Sequence, residues 1–543
     1  MAAALLLAHA LTPVAQVRPL GRLAFPTSVT GPAQDAFVRG VLALHNFEYE
    51  VAREAFRTAQ TLAPGFAMAY WGEALSCVQP LWHHEDLPRA RRALARLAPT
   101  AEARASRAPS ERERAYLRAA EALFGEGPRA ERFREFAGRL ALISRAYPDD
   151  DEARAFEALA WLATIPEGTR DPAVARRAAD LAVGVFARQP DHPGAAHYLL
   201  HAADAGAMTA RTLEAARRYA RLAPGSSHAQ HMPSHVFFPL GLWDDAVAAN
   251  EAAYRASSEW TRITGRPLVQ RDFHSLGWLQ YGYLQQGRFA KAKTALGELD
   301  RALATFGVGA GSFSPPAASS HPALREPMPS ELGRGYDRLA LLNERGSQRA
   351  RLVIEGNDWH MMRGQTTFDN LDELFALGLS SVALDDVARA DAVLRELERA
   401  SAIVRDREGV ETLSLMRDGL QGVLAIARAD PAGGLATLAA AAEREWVRLG
   451  PVGRPSLPKP AGELYADALA GLGQAAAAMA AYERVLARIP NRPASLLGLA
   501  RAARAAGRHG EAARSAQAFL ATWHAADPER PELAEARRLA AAP

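Results

Sequence analysis

A repeat of 34 residues is the sequence feature that most limits how this chain can fold. Fourteen residues into several of these units there is a glycine, at Gly241, Gly287, Gly473 and Gly507. Nineteen residues into the units an alanine recurs, at Ala52, Ala246, Ala292, Ala478 and Ala512. The glycine lets the chain turn out of a first helix, and the alanine lets a second helix pack closely. The pattern therefore predicts helical hairpins, none of which can bury its apolar face without a neighbour.

The whole chain is predicted to be all-α, because apolar residues recur at three- and four-residue spacing and Ala, Arg and Glu dominate over β-branched residues. The segments GLWDDAVAANEAAYRAS, QGRFAKAKTAL and AGRHGEAARSAQAFL resemble the tetratricopeptide repeat. The resemblance is strongest in residues 33–95, 145–300 and 459–520. It implies a tetratricopeptide-like α-solenoid, in which hairpins stack into a right-handed superhelix and the first helices line a concave groove.

Two segments interrupt the repeats. Residues 305–335 are rich in Gly, Ser and Pro and are expected to form a linker or a long surface loop. A shorter break, PVGRPSLPKPAG, precedes the last repeats. The expected organisation is a leader or disordered N-terminus, an N-terminal array with the histidine cluster, the linker, middle repeats and C-terminal repeats, at 1–24, 25–304, 305–335, 336–450 and 451–543.

Charge and cysteine content exclude several classes of function. The 64 Lys and Arg nearly balance the 61 Asp and Glu, so no strongly basic surface is expected to hold a nucleic acid. The single cysteine, Cys77, excludes an intrachain disulfide and a cysteine-rich zinc or iron–sulfur site. Imidazole and carboxylate groups are therefore the ligands that this chain can offer to a metal ion.

The N-terminal residues suggest export without establishing it. MAAALLLAHALTPVAQ is an apolar stretch of signal-peptide length, but no Lys or Arg precedes it. An exported, periplasmic location is slightly favoured over a cytoplasmic one. No other run reaches about 18 uncharged apolar residues, so no integral membrane segment is expected.

The histidines are unevenly distributed: six of the 15 fall between residues 192 and 235. In HPGAAHYLLHAAD, the side chains of His197, His201 and Asp204 lie within about 60° of one another on a helix. In SHAQHMPSHVF, a second set at three- and four-residue spacing lies within about 60°. This second set comprises His228, His231 and His235. Each of two successive hairpins is thus predicted to carry a polar stripe.

The repeat phase predicts that the two stripes meet. His197 and His201 lie four and eight residues after the start of one unit, and His231 and His235 have the same offsets in the next. Equivalent positions on adjacent first helices should face each other, so the four imidazoles are expected to converge in the groove. His228 and His274 also occupy equivalent positions, because each lies one residue after the start of its unit.

Imidazoles with a carboxylate suit a transition metal, and His pairs four residues apart are a natural helical chelate. The candidate ligands exceed the needs of one ion and are His197, His201, Asp204, His228, His231, His235 and His274. One or two ions of iron, copper or zinc are expected, with identity open. Candidate catalytic groups are Glu73, Tyr198, His228 and His274. Against this, a helical histidine is more often a surface or satisfied core residue, and the cluster is also compatible with a pH-sensitive patch.

The strings HPGAAHYLLHAAD and HAQHMPSHVF resemble those of a bacterial subfamily of tetratricopeptide-repeat proteins. That resemblance implies the fold and the site, but no reaction. The leading hypothesis is a metal-dependent enzyme that oxidises or hydrolyses a small molecule or peptide held in the groove. The alternative is a non-catalytic scaffold that binds a partner protein or peptide there. No metalloprotease, phosphate-loop or nucleophile-elbow motif supports another mechanism.

Overall fold

The structure is a computed structural model that describes residues 19–306, 336–405, 407–448, 450 and 452–541. Most of the leader predicted at 1–24 and nearly all of the linker predicted at 305–335 lie outside the described residues.

The chain divides into two compact units. Unit 1 is formed by Met1–Thr164, Arg177–Leu199 and Arg217–Gln230. Unit 2 is formed by Ile165–Arg176, Leu200–Ala216 and His231–Pro543.

Helices make up most of the described part of unit 1. Its first helices are α1 (Pro32–His45), α2 (Tyr49–Leu62), α3 (Ala67–Leu75), α4 (Leu87–Leu97), α5 (Ala101–Arg107), α6 (Glu111–Leu123), α7 (Arg129–Ala146) and α8 (Asp151–Leu162). A short antiparallel hairpin of β1 (Val78–Gln79) and β2 (His84–Glu85) follows α3, with the 3₁₀ turn Pro80–Trp82 between the strands.

Four helices contribute residues to both units. They are α9 (Pro172–Arg188), α10 (Pro193–Asp204), α11 (Thr212–Leu222) and α12 (Ser227–His231). The remaining helices belong to unit 2. They are α13 (Ser234–Phe237), α14 (Trp243–Ile263), α15 (Phe273–Gln285), α16 (Phe289–Ala304), α17 (Arg338–Gly356), α18 (Leu371–Ala383), α19 (Val387–Ser401), α20 (Arg407–Ala427), α21 (Pro431–Trp446), α22 (Ala461–Gly471), α23 (Ala475–Arg488), α24 (Pro493–Ala505), α25 (His509–Thr522) and α26 (Pro531–Ala541).

The prediction of an all-α solenoid of hairpins is confirmed. In unit 2, each helix packs on the next, and alternate helices also touch, as in the pairs α15–α17, α18–α20, α20–α22, α22–α24 and α24–α26. This is the contact pattern of stacked hairpins, in which each hairpin buries its apolar face against its neighbours. None of the helices in the described ranges is both long and apolar enough to cross a membrane.

The recurrent glycines turn the chain between the two helices of a hairpin. Gly241, Gly287, Gly473 and Gly507 all have φ between 64° and 75°, a conformation that other residues adopt at a cost. The recurrent alanines behave as expected too, because Ala246, Ala292, Ala478 and Ala512 are buried between helices. The periodic small residues therefore set the hairpin geometry.

Within unit 2, the last repeats pack against the helices that follow the histidine segment. The Trp243 indole nitrogen donates to the carbonyl oxygen of Asn491 at 2.9 Å. The rings of Phe289 and Trp523 lie 6.2 Å apart. These contacts join the last repeats to α14 and α16.

Candidate metal centre

Three histidines of unit 2 converge through the same ring nitrogen. His231 is the last residue of α12, His235 lies in α13, and His274 lies in the first turn of α15. The Nε2 atom of His231 is 3.0 Å from Nε2 of His235 and 3.0 Å from Nε2 of His274. All three rings can offer a ligand atom to one ion, and two of them are buried. We call this set the Nε2 triad.

The local sequence explains how the triad forms. The first helix of this repeat is interrupted at Met232 and Pro233, so α12 and α13 are separate short helices. Asp272 caps α15 by accepting a hydrogen bond from the Ser275 backbone at 2.9 Å. That cap fixes the start of α15 and the position of His274 within its first turn.

Asn250 fixes the tautomer of His231. The side-chain oxygen of Asn250 lies 2.6 Å from Nδ1 of His231, and its amide nitrogen donates to the carbonyl oxygen of Ala246 at 2.8 Å. Because the amide nitrogen is committed to Ala246, the oxygen must accept from Nδ1. In neutral His231 the Nε2 atom therefore carries a lone pair that faces the other two rings.

Asp204 orients His235 in a similar way. Its carboxylate lies 3.0 Å from Nδ1 of His235 and 3.5 Å from Nδ1 of His201. Burial by itself would raise the pKa of Asp204, but the neighbouring His235 and hydrogen bonds from both histidines hold it below its usual range. An ionised carboxylate behind a histidine is the arrangement that orients many metal ligands and strengthens their basicity. Asp204 thus lies behind His235 and not among the Nε2 atoms.

The protonation state of the triad favours the binding of a cation. Burial lowers the pKa of His231 well below its usual value, and the neighbouring His274 and His235 lower it further. The pKa of His274 is also well below its usual value, through burial and then through the neighbouring His235 and Arg454. Both rings are neutral near pH 7, the form in which imidazole binds metal.

The spacing of the triad also fits a metal ion. With metal–nitrogen bonds of about 2.0–2.1 Å, cis ligands are about 2.9 Å apart in an octahedral site and about 3.3 Å apart in a tetrahedral one. The observed separations of 3.0 Å lie in this range. Without a cation or a shared proton, the lone pairs of His231 and His235 would face each other at this short distance.

Unit 1 contains a separate histidine pair. The Nε2 atoms of His197 and His228 are 2.9 Å apart. Nδ1 of His197 donates to the backbone carbonyl of His45 at 2.7 Å, so its Nε2 also carries a lone pair in the neutral ring. Phe47 packs against both histidines, with ring centroids 4.3 Å and 5.4 Å away.

A buried network in unit 1 was not predicted from the sequence. The carboxylate of Glu152 lies 2.8 Å from Nε2 of His45 and 3.0 Å from Nε2 of His192. Nδ1 of His192 accepts from the Ala195 backbone, so its Nε2 carries the proton and donates to Glu152. Such a protonated nitrogen is unavailable to a metal ion. The residues are 107 and 40 positions apart, and no local spacing could have indicated their contact.

Two of the candidate catalytic groups lie in other buried networks of unit 1. The hydroxyl group of Tyr198 lies 2.8 Å from Nδ1 of His45, and burial raises the pKa of this tyrosine well above its usual value. Glu73 is 1% exposed, and its two oxygens accept hydrogen bonds from Arg57, Gln60 and Arg96. Glu73 therefore anchors two half-exposed arginines.

Comparisons with known proteins add little to this description. A scan against family models and a search of curated proteins find no match. Among solved structures, a tetratricopeptide repeat protein from Parabacteroides merdae is similar over 58% of this chain and 98% of its own, with 15% identity and a TM-score of 0.27. The APC/C hetero-tetramer Cut9-Hcn1 is similar over 94% of this chain and 97% of the matched chain, with 13% identity and a TM-score of 0.28. Structural similarities with TM-scores this low give no argument about function.

Proposed function

We propose that this protein is a metal-dependent enzyme that holds a transition-metal ion on the Nε2 atoms of His231, His235 and His274. The convergence of these three nitrogens at 3.0 Å carries the proposal. Two further observations support it: Asn250 accepts a hydrogen bond from Nδ1 of His231, and the carboxylate of Asp204 lies 3.0 Å from Nδ1 of His235. The rings are thus prepared to present lone pairs to one ion.

A three-nitrogen site is typical of catalytic metals that keep positions open for water or substrate. Iron, copper and zinc all accept such ligands, and the bound ion would supply either activation of water for hydrolysis or redox chemistry for oxidation. The ligand set alone does not choose among the three metals. The substrate is proposed to be a small molecule or a peptide.

A second ion is a weaker proposal. Within unit 1, the His197 and His228 pair offers two nitrogens at 2.9 Å, a distance that a hydrogen bond between the rings also explains. We therefore assign the first ion to the triad of unit 2.

The metal content of the purified protein tests the proposal. After expression in metal-replete medium, we expect about one equivalent of iron, copper or zinc, and a loss of that metal in the variants His231→Ala and His274→Ala. The exposed His360 provides a matched control, because His360→Ala removes an imidazole of the same unit without touching the triad. Wild-type protein without metal, or triad variants that keep it, would contradict the proposal and favour the scaffold alternative.

A further inference from the structure

Two neighbouring helices of unit 2 carry polar residues with the same spacing. The helices α15 and α17 pack against each other. At intervals of four, three and four residues, α15 presents His274, Trp278, Tyr281 and Gln285. At the same intervals, α17 presents Glu344, Gln348, Arg351 and Glu355. Such spacing places each set along one face of its helix.

The two stripes begin at the Nε2 triad. Trp278 stacks on His235 with ring centroids 4.4 Å apart and lies 4.7 Å from the ring of His231. One turn further along α15, the guanidinium of Arg351 lies over the ring of Tyr281 at 5.3 Å. The stripes therefore extend from the proposed metal ligands to a buried cation.

Several buried polar atoms on these helices have no hydrogen-bond partner in the described structure. The unpartnered donors are Trp278 Nε1, Arg351 Nε and Gln285 Nε2. The unpartnered acceptors are the side-chain oxygens of Gln280 and Gln348. Leaving such a group unpaired is costly, so native proteins rarely bury several together without a ligand or ordered water to pair them.

Arg351 is a buried cation, 2% exposed, whose described hydrogen bonds all end on main-chain oxygens. These oxygens belong to Pro455, Ser456 and Leu457. Burial lowers the pKa of Arg351 to about 10, so the side chain is still charged near neutral pH. Arg492, which is equally buried, is neutralised by direct ion pairs with Glu355 and Glu463. A buried charge without such a partner is costly unless an anion accompanies it.

We propose that these buried polar stripes of unit 2 bind the substrate, and that the substrate is a small organic acid with a hydroxyl or amino group. Its carboxylate pairs with Arg351 and accepts from Trp278, since guanidinium groups suit carboxylates. Its hydroxyl or amino group donates to the free side-chain oxygen of Gln348. This inference rests on the proposed function, because it names the class of substrate on which the metal ion of the Nε2 triad acts.

Glycolate, the smallest hydroxy acid, is the probe. We expect glycolate to raise the thermal unfolding midpoint of the zinc-loaded protein at an ionic strength held constant with chloride, and the neutral glycolamide to have no such effect. In Arg351→Gln, the glycolate concentration for half the effect should rise by about tenfold or more. Arg395→Gln, which changes an exposed arginine of the same unit, should respond like the wild type.

Gln348→Met tests the second half of the proposal. It should reduce the preference for glycolate over acetate, because it removes an acceptor of the hydroxyl group while keeping a side chain of similar length. If Arg351→Gln does not fold, Arg351→Lys replaces it, since lysine keeps the charge but loses the planar fork.

Two results would overturn the inference: a wild-type protein indifferent to glycolate, or an Arg351 variant that responds as the wild type does. In the second case Arg351 serves only to hold residues 455–457. Zinc binding is measured in parallel on the same variants and is expected to be unchanged. A glycolate response that depends on Arg351 in a protein that binds no metal would defeat the proposed function and leave this inference standing.

Discussion

At the scale of single residues, the proposed centre depends on two side chains that do not touch the ion. Asn250 can only accept from Nδ1 of His231, because its nitrogen is committed to the backbone of Ala246. Asp204 takes the same role for His235. Neither contact follows from local spacing, since Asn250 is 19 residues from His231 and Asp204 is 31 residues from His235. From the sequence, Asp204 was predicted as a metal ligand, and Asn250 was not identified.

Replacing Asn250 tests this orienting role. We expect Asn250→Ala to weaken metal binding by about 10- to 100-fold, because Nδ1 of His231 loses its acceptor and the ring loses its preferred tautomer. Asn250→Asp keeps an oxygen at this position and should retain most of the affinity. Competition with a chromophoric chelator measures both values. Equal affinities for wild type and Asn250→Ala would remove the orienting role.

The buried carboxylate of Glu152 makes stability depend on pH. Burial alone would raise its pKa, but His192 and His45 lower it from 4.5 to about 2. Because the folded pKa is below the unfolded one, Glu152 stabilises the protein above about pH 4.5, and this contribution is lost as the pH falls toward 2. The free energy of unfolding falls by about 3 kcal/mol, because each pKa unit between the folded and the unfolded state is worth about 1.36 kcal/mol.

Urea unfolding between pH 5 and pH 2.5 measures this effect. Glu152→Gln should flatten the decline of the unfolding free energy with pH, whereas Glu131→Gln, at an exposed position of the same unit, should leave the decline unchanged. Parallel curves for wild type and Glu152→Gln would refute the assignment.

At the scale of helices, the hairpins and the shared stripe of His231 and His235 could be predicted, but the partner of each ring nitrogen could not. Matched repeat offsets predict that His197, His201, His231 and His235 converge, on the assumption of straight first helices. In unit 2, Pro233 separates α12 from α13, and the described contacts of His231 are with His235 and His274. A break of this kind changes the direction of the side chains that follow it, so offsets on either side of it are no longer equivalent.

The turn glycines permit a matched test of the hairpin geometry. Gly473→Ala is expected to cost about 1–2 kcal/mol, because φ is 75° and the space around the new Cβ is open. Gly241→Ala should cost about 1–3 kcal/mol more, since φ is 64° and its Cβ would overlap the carbonyl oxygen of Pro490. Unfolding free energies of the two variants give the comparison. A smaller loss for Gly241→Ala would show that the approach of Pro490 does not constrain this turn.

At the scale of the whole molecule, the histidines serve different purposes in the two units. Unit 1 contains the network around the Glu152 carboxylate, in which His192 donates its Nε2 proton to Glu152. It also contains the pair of His197 and His228. Unit 2 holds three nitrogens that face one another and polar stripes that extend from them. Composition alone identified the excess of histidine and the lack of cysteine, but only hydrogen-bond partners distinguish histidines that can bind metal from those that cannot.

Anomalous diffraction at the absorption edge of the bound metal, on crystals of the metal-loaded protein, tests the central claim most directly. We predict one strong peak at about 2.0–2.3 Å from the Nε2 atoms of His231, His235 and His274. No peak is expected within the network of His45, Glu152 and His192. A metal-loaded crystal with no density at the triad, or with its ion in the Glu152 network, would contradict the account.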